Sequence, residues 1–371
     1  MDTNMTRLLL RTAAASLLLF FCAADAAQQN RPFFVRGGST TEVSASSAVP
    51  PAPPRCGTEG GPSASQIEAA VRIVWNRHRT WAVVASEKER KLKRNRLSVL
   101  YLTVAGAALQ TAALAPNLGA NWIASMAGGG CLALVPYISS KYLSQSTMEA
   151  TRRCMAASEA LRSEVYTFRA GGAPYDKIVG DKDPIDVLVD RAAGVSNSVQ
   201  DLMMMYAASS PDNVPPPPRM DREGYITERV MAEVNDNLRK NARRYAQREN
   251  QLRNYHSTAT SAAAFVGFLA GSANGGVTNL PPMLSALAGQ IGSWGAAAST
   301  AGAAIAAHIA STKLGEKASQ YSATAKRLEN LVLRLDGDVM PGCQEWTEFV
   351  RNCEEAIAGE NQKWKSELAG E

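Results

Sequence analysis

Residues 97–140 read LSVLYLTVAGAALQTAALAPNLGANWIASMAGGGCLALVPYISS and contain no Asp, Glu, Lys or Arg. Residues 254–312 form a second stretch without these side chains, although they make up 20% of the whole chain. A helix exposed to water needs a polar or charged face. The two charge-free stretches therefore indicate helices that are surrounded either by lipid or by a very apolar protein core.

The first charge-free stretch is divided at 116–121 by Pro, Asn and Gly residues, a pattern typical of turns. The apolar segments on either side, 97–115 and 122–139, approach the length of about 20 residues that a helix needs to cross a bilayer. Two further segments, 257–273 and 284–309, repeat this arrangement but are rich in Ala, Ser and Gly. The pattern predicts two hairpins of membrane-spanning helices; the alternative for each is an Ala-rich hairpin buried in a soluble bundle.

The same order of segments occurs twice. In each half a charged helical segment with a basic end leads into the apolar hairpin, and a polar helix follows. This repetition predicts a duplication with units at residues 65–210 and 223–371, separated by a Pro-rich spacer at 211–222. The predicted fold class is all-α: an integral membrane protein with two tandem two-transmembrane helical hairpins flanked by long polar helices.

The N-terminal region has the composition of an address. Arg7 and Arg11 lead into the apolar run 12–22, so we predict a targeting peptide at residues 1–27 and a disordered Ser- and Pro-rich linker at 28–64. The basic flanks of both hairpins favour the untranslocated side of a membrane. We therefore expect an integral protein of an organelle or endomembrane. A plain secretory signal is the alternative, and it conflicts with those flanks unless the run is a non-cleaved anchor.

The composition argues against several classes of function. The net charge of +5 is small. The basic runs of the chain lie beside the apolar segments, which favours lipid headgroups over nucleic acid as their binding partner. The sequence contains no GxxxxGK[ST], GxGxxG or HExxH motif, and its six cysteines form no CxxC pair. We expect no catalytic, cofactor or metal site, no enzymatic activity and no nucleic-acid partner.

The basic run before the first hairpin is the predicted contact with lipid headgroups. Its members are Lys88, Arg90, Lys91, Lys93, Arg94 and Arg96. Their place directly before residue 97 puts them at the membrane surface if the hairpin inserts.

Small and amide side chains mark the predicted contacts between membrane helices. Gly267 and Gly271 form a GxxxG pair, and Ala298 and Gly302 have the same spacing, which allows helices to approach closely. Two amides lie at membrane depth, Gln110 and Gln290. Each either forms a hydrogen bond between helices or lines a pore.

Two patterns in the second unit resemble the SLATT family of two-transmembrane effector domains. Tyr225, Arg229 and Val230 fit a YxxxRV start of the leading helix, and residues 349–364 fit an FVxxxExxIxxExxxW closing helix. The first unit resembles a companion variant; the matching positions are Glu159, Leu161, Phe168, Arg169, the segment 171–175, Asp190 and Arg191. The resemblance covers residues 65–371 and identifies the chain as a tandem SLATT protein.

The resemblance implies an integral membrane module of a kind proposed to form pores in bacterial conflict systems when a nucleotide-sensing partner is activated. We expect a self-associating, multi-pass membrane module that forms or regulates a pore. The alternative is a non-conducting anchor or scaffold that docks an unknown protein partner through the polar helices at 141–169 and 313–364. The expected partners are the lipid bilayer and further copies of the chain.

Overall fold

A computed structural model describes residues 63–113, 121–175, 183–203, 214–274, 282–335, 337 and 339–366. The predicted targeting peptide and nearly all of the predicted linker lie outside these residues. Within them the chain is all-α, as predicted, and contains no strand.

The first half consists of a long helix followed by three shorter ones. These are α1 (Ala64–Ala113), α2 (Asn121–Tyr142), α3 (Gln145–Ala170) and α4 (Pro184–Asn197), with a further helical turn at Gln200–Met203. The first helix starts in polar sequence and ends in the first charge-free stretch, so a single helix joins the two environments.

The second half also consists of a long helix followed by three shorter ones. Helix α5 is continuous over residues 222–274, and α6 (Pro282–Thr312), α7 (Leu314–Arg334) and α8 (Gln344–Ser366) follow it. Two parts of α5, Tyr225–Met231 and Glu233–Leu238, are π-helical. Residues 214–221, which have no regular secondary structure, precede α5 within the predicted Pro-rich spacer.

Helices α1 and α2 form a hairpin whose backbones approach closely at two glycines. A Cβ atom on Gly128 would lie 3.0 Å from both the Gln110 nitrogen and the Gly106 oxygen. A Cβ atom on Gly106 would lie 2.8 Å from Cγ of Leu132. Any larger side chain here would force the helices apart, which explains why glycine occurs within otherwise ordinary helical sequence.

Helices α5 and α6 form the second hairpin, and α6 also contacts α1, so the two hairpins lie side by side. The imidazole of His256 lies 3.1 Å, at Nδ1, from the Gly302 carbonyl oxygen. Gly295 lies opposite Val266, whose Cγ1 would be 3.0 Å from a Cβ at residue 295.

Two apolar cores lie in the polar parts of the helices. The first combines residues of α1, α3 and α4, among them Val71, Val74, Trp81, Leu161 and Leu188. The second combines α5, α7 and α8, among them Val230, Val234, Leu328, Trp346 and Val350. The indole nitrogen of Trp346 donates to the Ala170 carbonyl oxygen at 2.8 Å, which docks the end of α3 on α8.

Helix α2 leaves its large apolar side chains uncovered. Trp122 is 66% exposed and Met126 is 69% exposed. Among the described residues, one helix is long and apolar enough to cross a membrane by length and composition, Trp122–Tyr142. The prediction of four spans has a candidate here for one of them and stays a prediction for the others.

Candidate functional site

The most buried charge in the described residues is the guanidinium of Arg229 on α5, whose side chain has an exposure of 0%. Its Nε donates to Oε1 of Glu354 at 2.9 Å, and its Nη2 donates to Oε2 at 2.7 Å. This two-point geometry matches the planar fork of Arg to a carboxylate. It joins the leading helix of the second unit to its closing helix.

Two more carboxylates and a second guanidinium surround this pair. Arg229 also lies 3.2 Å from Glu159 on α3 and 3.5 Å from Glu233 on α5. Arg162 on α3 lies 3.2 Å from Glu233 and 3.6 Å from Glu159. The five residues, here called the charge network, therefore connect the first half of the chain to the second.

Two tyrosines complete the surroundings of the charge network. The Tyr225 hydroxyl donates to Oε1 of Glu354 at 2.9 Å. The guanidinium carbon of Arg229 lies 4.4 Å from the centre of the Tyr166 ring, a distance typical of a cation–π contact. A buried charge is costly unless it is paired and hydrogen-bonded, and here Nε, Nη1 and Nη2 of Arg229 each have a carboxylate partner.

The π-helical segments of α5 position these side chains. A π-helix has i→i+5 hydrogen bonds and is therefore wider than an α-helix, so residues four and five positions apart share one face. Tyr225, Arg229 and Glu233 are all buried, together with Val230 and Val234. The wide face lets the charged and apolar side chains of one segment enter the same interior.

The pKa shifts follow from burial and from the opposite charges. Burial alone lowers the pKa of Arg229, but Glu354 and then Glu159 raise it well above its ordinary value. Burial alone raises the pKa of Glu159, but Arg162 and Arg229 lower it well below its ordinary range. Burial, and then Glu354, raise the pKa of Tyr225. Arg229, Arg162 and Glu159 thus keep their charges near neutral pH, which suits a fixed connection between helices better than proton transfer.

A buried histidine lies beside the charge network. Nδ1 of His78 on α1 lies 2.8 Å from the Ser158 carbonyl oxygen on α3 and, because a carbonyl only accepts, carries the proton in this contact. Burial lowers the pKa of His78 to about 4. The ring is therefore neutral at physiological pH.

The predicted headgroup residues divide between two faces of α1. Arg90, Lys91 and Arg94 are exposed, whereas Lys88, Lys93 and Arg96 are half-buried on the side that faces the bundle. Exposed Lys91 forms an ion pair with Glu87 at 2.7 Å.

The predicted helix-packing residues also divide. A Cβ atom on Gly302 would lie 3.4 Å from the Thr260 hydroxyl, so Gly302 faces α5 within the chain, and Ala298 is half-buried on the same helix. Around Gly267 and Gly271, in contrast, no described residue outside their own stretch of helix comes within 4 Å of where a Cβ atom would be.

The two predicted amides have different outcomes. Nε2 of Gln110 donates to the Ser125 carbonyl oxygen at 3.2 Å, which places it between α1 and α2 as an interhelical hydrogen bond. The side chain of Gln290 lies outside the described residues. Among the described residues, no group of three His, Cys, Asp or Glu side chains is placed to hold a metal ion.

Sequence reasoning did not find the charge network as a site. Tyr225, Arg229 and Glu354 were noted only as positions of a family sequence pattern. Arg162 and Glu233 were not noted as candidate site residues. The available signal was the spacing of Glu233 four residues after Arg229, and of Arg162 three after Glu159, inside helical segments that are otherwise apolar on that face.

A family model described as SLATT_1, the SMODS and SLOG-associating 2TM effector domain 1, matches residues 225–364. The match begins at Tyr225 and ends at Trp364, the outer residues of the two sequence patterns. The second half of the chain therefore carries a SLATT domain, a type described as a two-transmembrane effector domain, and this part of the resemblance is confirmed. No curated protein and no solved structure matches the chain.

Proposed function

We propose that the chain is a self-associating, multi-pass membrane module in which two SLATT-type units in tandem insert two helical hairpins and form or regulate a pore. The observation that carries the proposal is the contrast between the two ends of the long helices. At one end lie buried apolar cores and a buried charge network; at the other, large apolar side chains are exposed.

The exposed apolar surface supports insertion. Trp122 and Met126 on α2, and Phe265 and Phe268 on α5, are each at least 64% exposed. All four lie inside the charge-free stretches. A soluble monomer rarely exposes several large apolar side chains on neighbouring helices, whereas hydrocarbon solvates them without cost.

The open GxxxG pair supports self-association. Gly267 and Gly271 lie on one face of α5, and Phe268 beside them is 70% exposed. Gly295 and Gly302 on α6, in contrast, already face α5 within the chain. A second copy of the chain would complete the packing that the first pair leaves open.

The charge network supports a role in transmitting a signal. It links α3, which follows the first hairpin directly, to α5, which leads into the second. A displacement of Glu354 on α8 would act on Arg229 of α5 directly and on Glu159 of α3 through Arg229. A pore that opens on command needs such a connection between its sensing part and its spanning part.

Membrane insertion is tested by fractionation of cells that express the full chain with a C-terminal tag. The expected result is retention in the pellet after carbonate extraction, with the tag and the polar helices on the same side in protease protection. Release into the supernatant without detergent would reject insertion.

Pore formation is tested with purified protein in liposomes that contain a trapped dye, with crosslinking in parallel. A pore predicts leakage that rises with protein density, together with a closed ladder of crosslinked oligomers. Vesicles that stay tight at every density would reject the pore.

A second candidate function is a non-conducting anchor that docks a protein partner. Leu333 near the end of α7 is 82% exposed, and Met340 beyond it is 71% exposed. Both lie in the polar half, away from the predicted spans. An anchor function predicts that vesicles containing the protein stay tight. It also predicts that Leu333→Asp and Met340→Asp abolish binding of the protein partner without changing the crosslinked oligomers.

A further inference from the structure

Helices α7 and α8 border an open groove with a volume of about 530 Å³. Its lining includes Lys326, Arg327, Asn330, Leu331 and Arg334 of α7 and Asn352 of α8. Because these residues line a single cavity, their side chains are neighbours in the folded chain. The groove, here called the α7–α8 groove, therefore combines three cations and two amides above a partly apolar floor.

The three cations of the α7–α8 groove have no carboxylate partner among the residues that the structure describes. Lys326, Arg327 and Arg334 are exposed, and none of them forms an ion pair or a hydrogen bond with a described residue. Glu329, which lies between them in the sequence, pairs with Arg239 of α5 instead. The groove thus presents an excess of positive charge.

The acidic residues of α8 on the side of Asn352 have partners on their own helix. Glu355 lies 4.0 Å from Arg351. Glu348 accepts a hydrogen bond from Nε2 of Gln344 at 3.4 Å. Neither carboxylate forms an ion pair with the cations of α7, so the positive charge of the groove is left for an external anion.

Leu333 adds an apolar side chain to the same surface. Its side chain is 82% exposed. It follows Lys326 and Asn330 by about two turns and one turn of helix, so these residues and Arg334 share an arc of about 120° on α7. This face of α7 is therefore both basic and apolar, and no described part of the chain covers Leu333.

The α7–α8 groove lies away from the predicted membrane surface. The ion pair between Glu329 and Arg239 places this part of α7 beside residue 239 of α5. At a rise of about 1.5 Å per residue, residue 239 precedes the second charge-free stretch, which begins at 254, by about 22 Å of helix. Lipid headgroups at the start of that stretch would not reach the groove, so its occupant is not a lipid.

We infer that the α7–α8 groove binds an acidic, amphipathic helix of a protein partner. A groove between two helices accepts a third helix, whose carboxylates at spacings of three and four residues would face the cations. An apolar residue beside them would cover Leu333. Charge complementarity of this kind selects a partner and speeds its association. The inference names the chemistry of the partner in the docking function proposed above, and it rests on that function.

A bound helix would touch the part of α8 that carries the charge network. Asn352 lines the groove and lies close in sequence to Glu354, whose carboxylate accepts from Arg229 of α5 at 2.7 Å. Occupation of the groove would therefore act next to the contact that joins the leading and closing helices of the second unit.

The test uses the full chain in neutral detergent micelles at low ionic strength. The probe is a fluorescein-labelled synthetic helix with Glu along one face and Leu beside it, and a second peptide carries Gln in place of every Glu. Fluorescence anisotropy measures the affinity of both peptides. The test variant is K326Q/R334Q. The matched control is R90Q/R94Q, which removes the same charge from exposed positions of α1.

We expect the acidic peptide to bind the unmodified chain and the control equally, and to bind K326Q/R334Q at least about tenfold more weakly. The Gln peptide should bind all three proteins weakly. Leu333→Ala keeps every charge and should still weaken binding, which a general electrostatic attraction would not cause. Because all substituted residues are exposed, the melting temperatures without peptide should agree, which shows that the variants fold.

Equal binding by K326Q/R334Q and the control, or no binding of the acidic peptide to the unmodified chain, would overturn the inference. Loss of the crosslinked oligomers in K326Q/R334Q would assign the groove to a second copy of the chain and would overturn it as well.

Failure of the groove can be distinguished from failure of the docking function. If Leu333→Asp and Met340→Asp abolish binding of the protein partner while K326Q/R334Q does not, the docking function stands and the acidic helix is rejected. Membrane insertion and pore formation are measured separately, by carbonate extraction and dye leakage, and neither result changes the binding of the peptide in micelles.

Discussion

Arg229 and Glu354 lie 125 residues apart in the chain and form a two-point ion pair in the interior, with N–O distances of 2.9 and 2.7 Å. The pair explains in physical terms why Arg occurs in the YxxxRV pattern and Glu in the closing-helix pattern. Lys would supply one charge but not the fork, and Gln would leave the guanidinium without its strongest partner. The two patterns are therefore two halves of one contact.

Removing Glu354 should destabilise the protein strongly. Glu354→Ala leaves Arg229 buried with weaker partners, and we expect a loss of about 3 kcal/mol or more in the free energy of unfolding. Chemical denaturation followed by circular dichroism measures this loss. The matched control is Glu355→Ala on the same helix, because Glu355 is exposed and 4.0 Å from Arg351; it should change stability by less than about 0.5 kcal/mol.

The contribution of the Arg229–Glu354 ion pair to the free energy of unfolding differs from the cost of removing only one of the two residues. In the double variant Arg229→Met/Glu354→Leu both charges are gone, so no unpaired guanidinium stays in the interior. We expect this variant to be more stable than Glu354→Ala alone, since apolar replacement of a buried ion pair is often neutral. A double variant less stable than either single variant would contradict this account.

The stability should fall between pH 6.5 and pH 5 because of His78. The folded pKa of about 4 lies below the ordinary value of 6.5, so the unfolded chain binds the proton first as the pH falls. The free energy of unfolding should therefore decrease as the pH falls below 6.5, and the His78 effect should reach about 2 kcal/mol at pH 5. Denaturant titrations at pH 7.5, 6 and 5 measure it.

His78→Asn provides the control for this pH dependence, because it keeps a donor near the Nδ1 position without a group that titrates in this range. The slope between pH 6.5 and 5 should largely disappear in His78→Asn. A variant with the same slope as the unmodified chain would show that other groups cause it. Glu159 titrates only below its ordinary range and does not contribute in this window.

The helical succession could be predicted from the sequence because it depends on local signals. Charge-free windows and turn residues indicated both hairpins, and α1 begins within one residue of the predicted start at 65. The spacings of Arg229 and Glu233 and of Glu159 and Arg162 could have indicated the local pairs, but the contact of Glu354 with Arg229 depends on the packing of distant helices and could not be predicted. The basic run 88–96 was predicted to contact lipid headgroups. The half-burial of Lys88, Lys93 and Arg96 could not be predicted, because helical periodicity within α1 does not reveal which helices pack against its other face.

The triple glycine of α2 offers a matched pair of substitutions. Gly128→Ala would place a Cβ atom 3.0 Å from two backbone atoms of α1, whereas a Cβ atom at Gly130 has no described neighbour within 4 Å. We expect Gly128→Ala to destabilise the hairpin by about 1–3 kcal/mol. Gly130→Ala should be neutral or stabilising by up to about 1 kcal/mol, because Ala is the better helix former. Melting temperatures in neutral detergent micelles compare the two variants, and equal effects would argue against close backbone contact between α1 and α2.

Substitutions at Gly267 and Gly271 can distinguish contacts within the chain from contacts between copies of the chain. Gly267→Ile and Gly271→Ile add bulk to a face of α5 that meets no other described residue, so the monomer should keep its helix content and melting temperature. Close packing against a second copy would be blocked, and the crosslinked oligomer in liposomes should shift to monomer.

Gly295→Ile is the control with the opposite signature, because its Cβ atom would lie 3.0 Å from Cγ1 of Val266 and the hairpin itself should loosen. Oligomers that persist in both Gly267→Ile and Gly271→Ile would place the self-association surface elsewhere, whereas a fall in melting temperature in those two variants would show that this face of α5 packs within the chain.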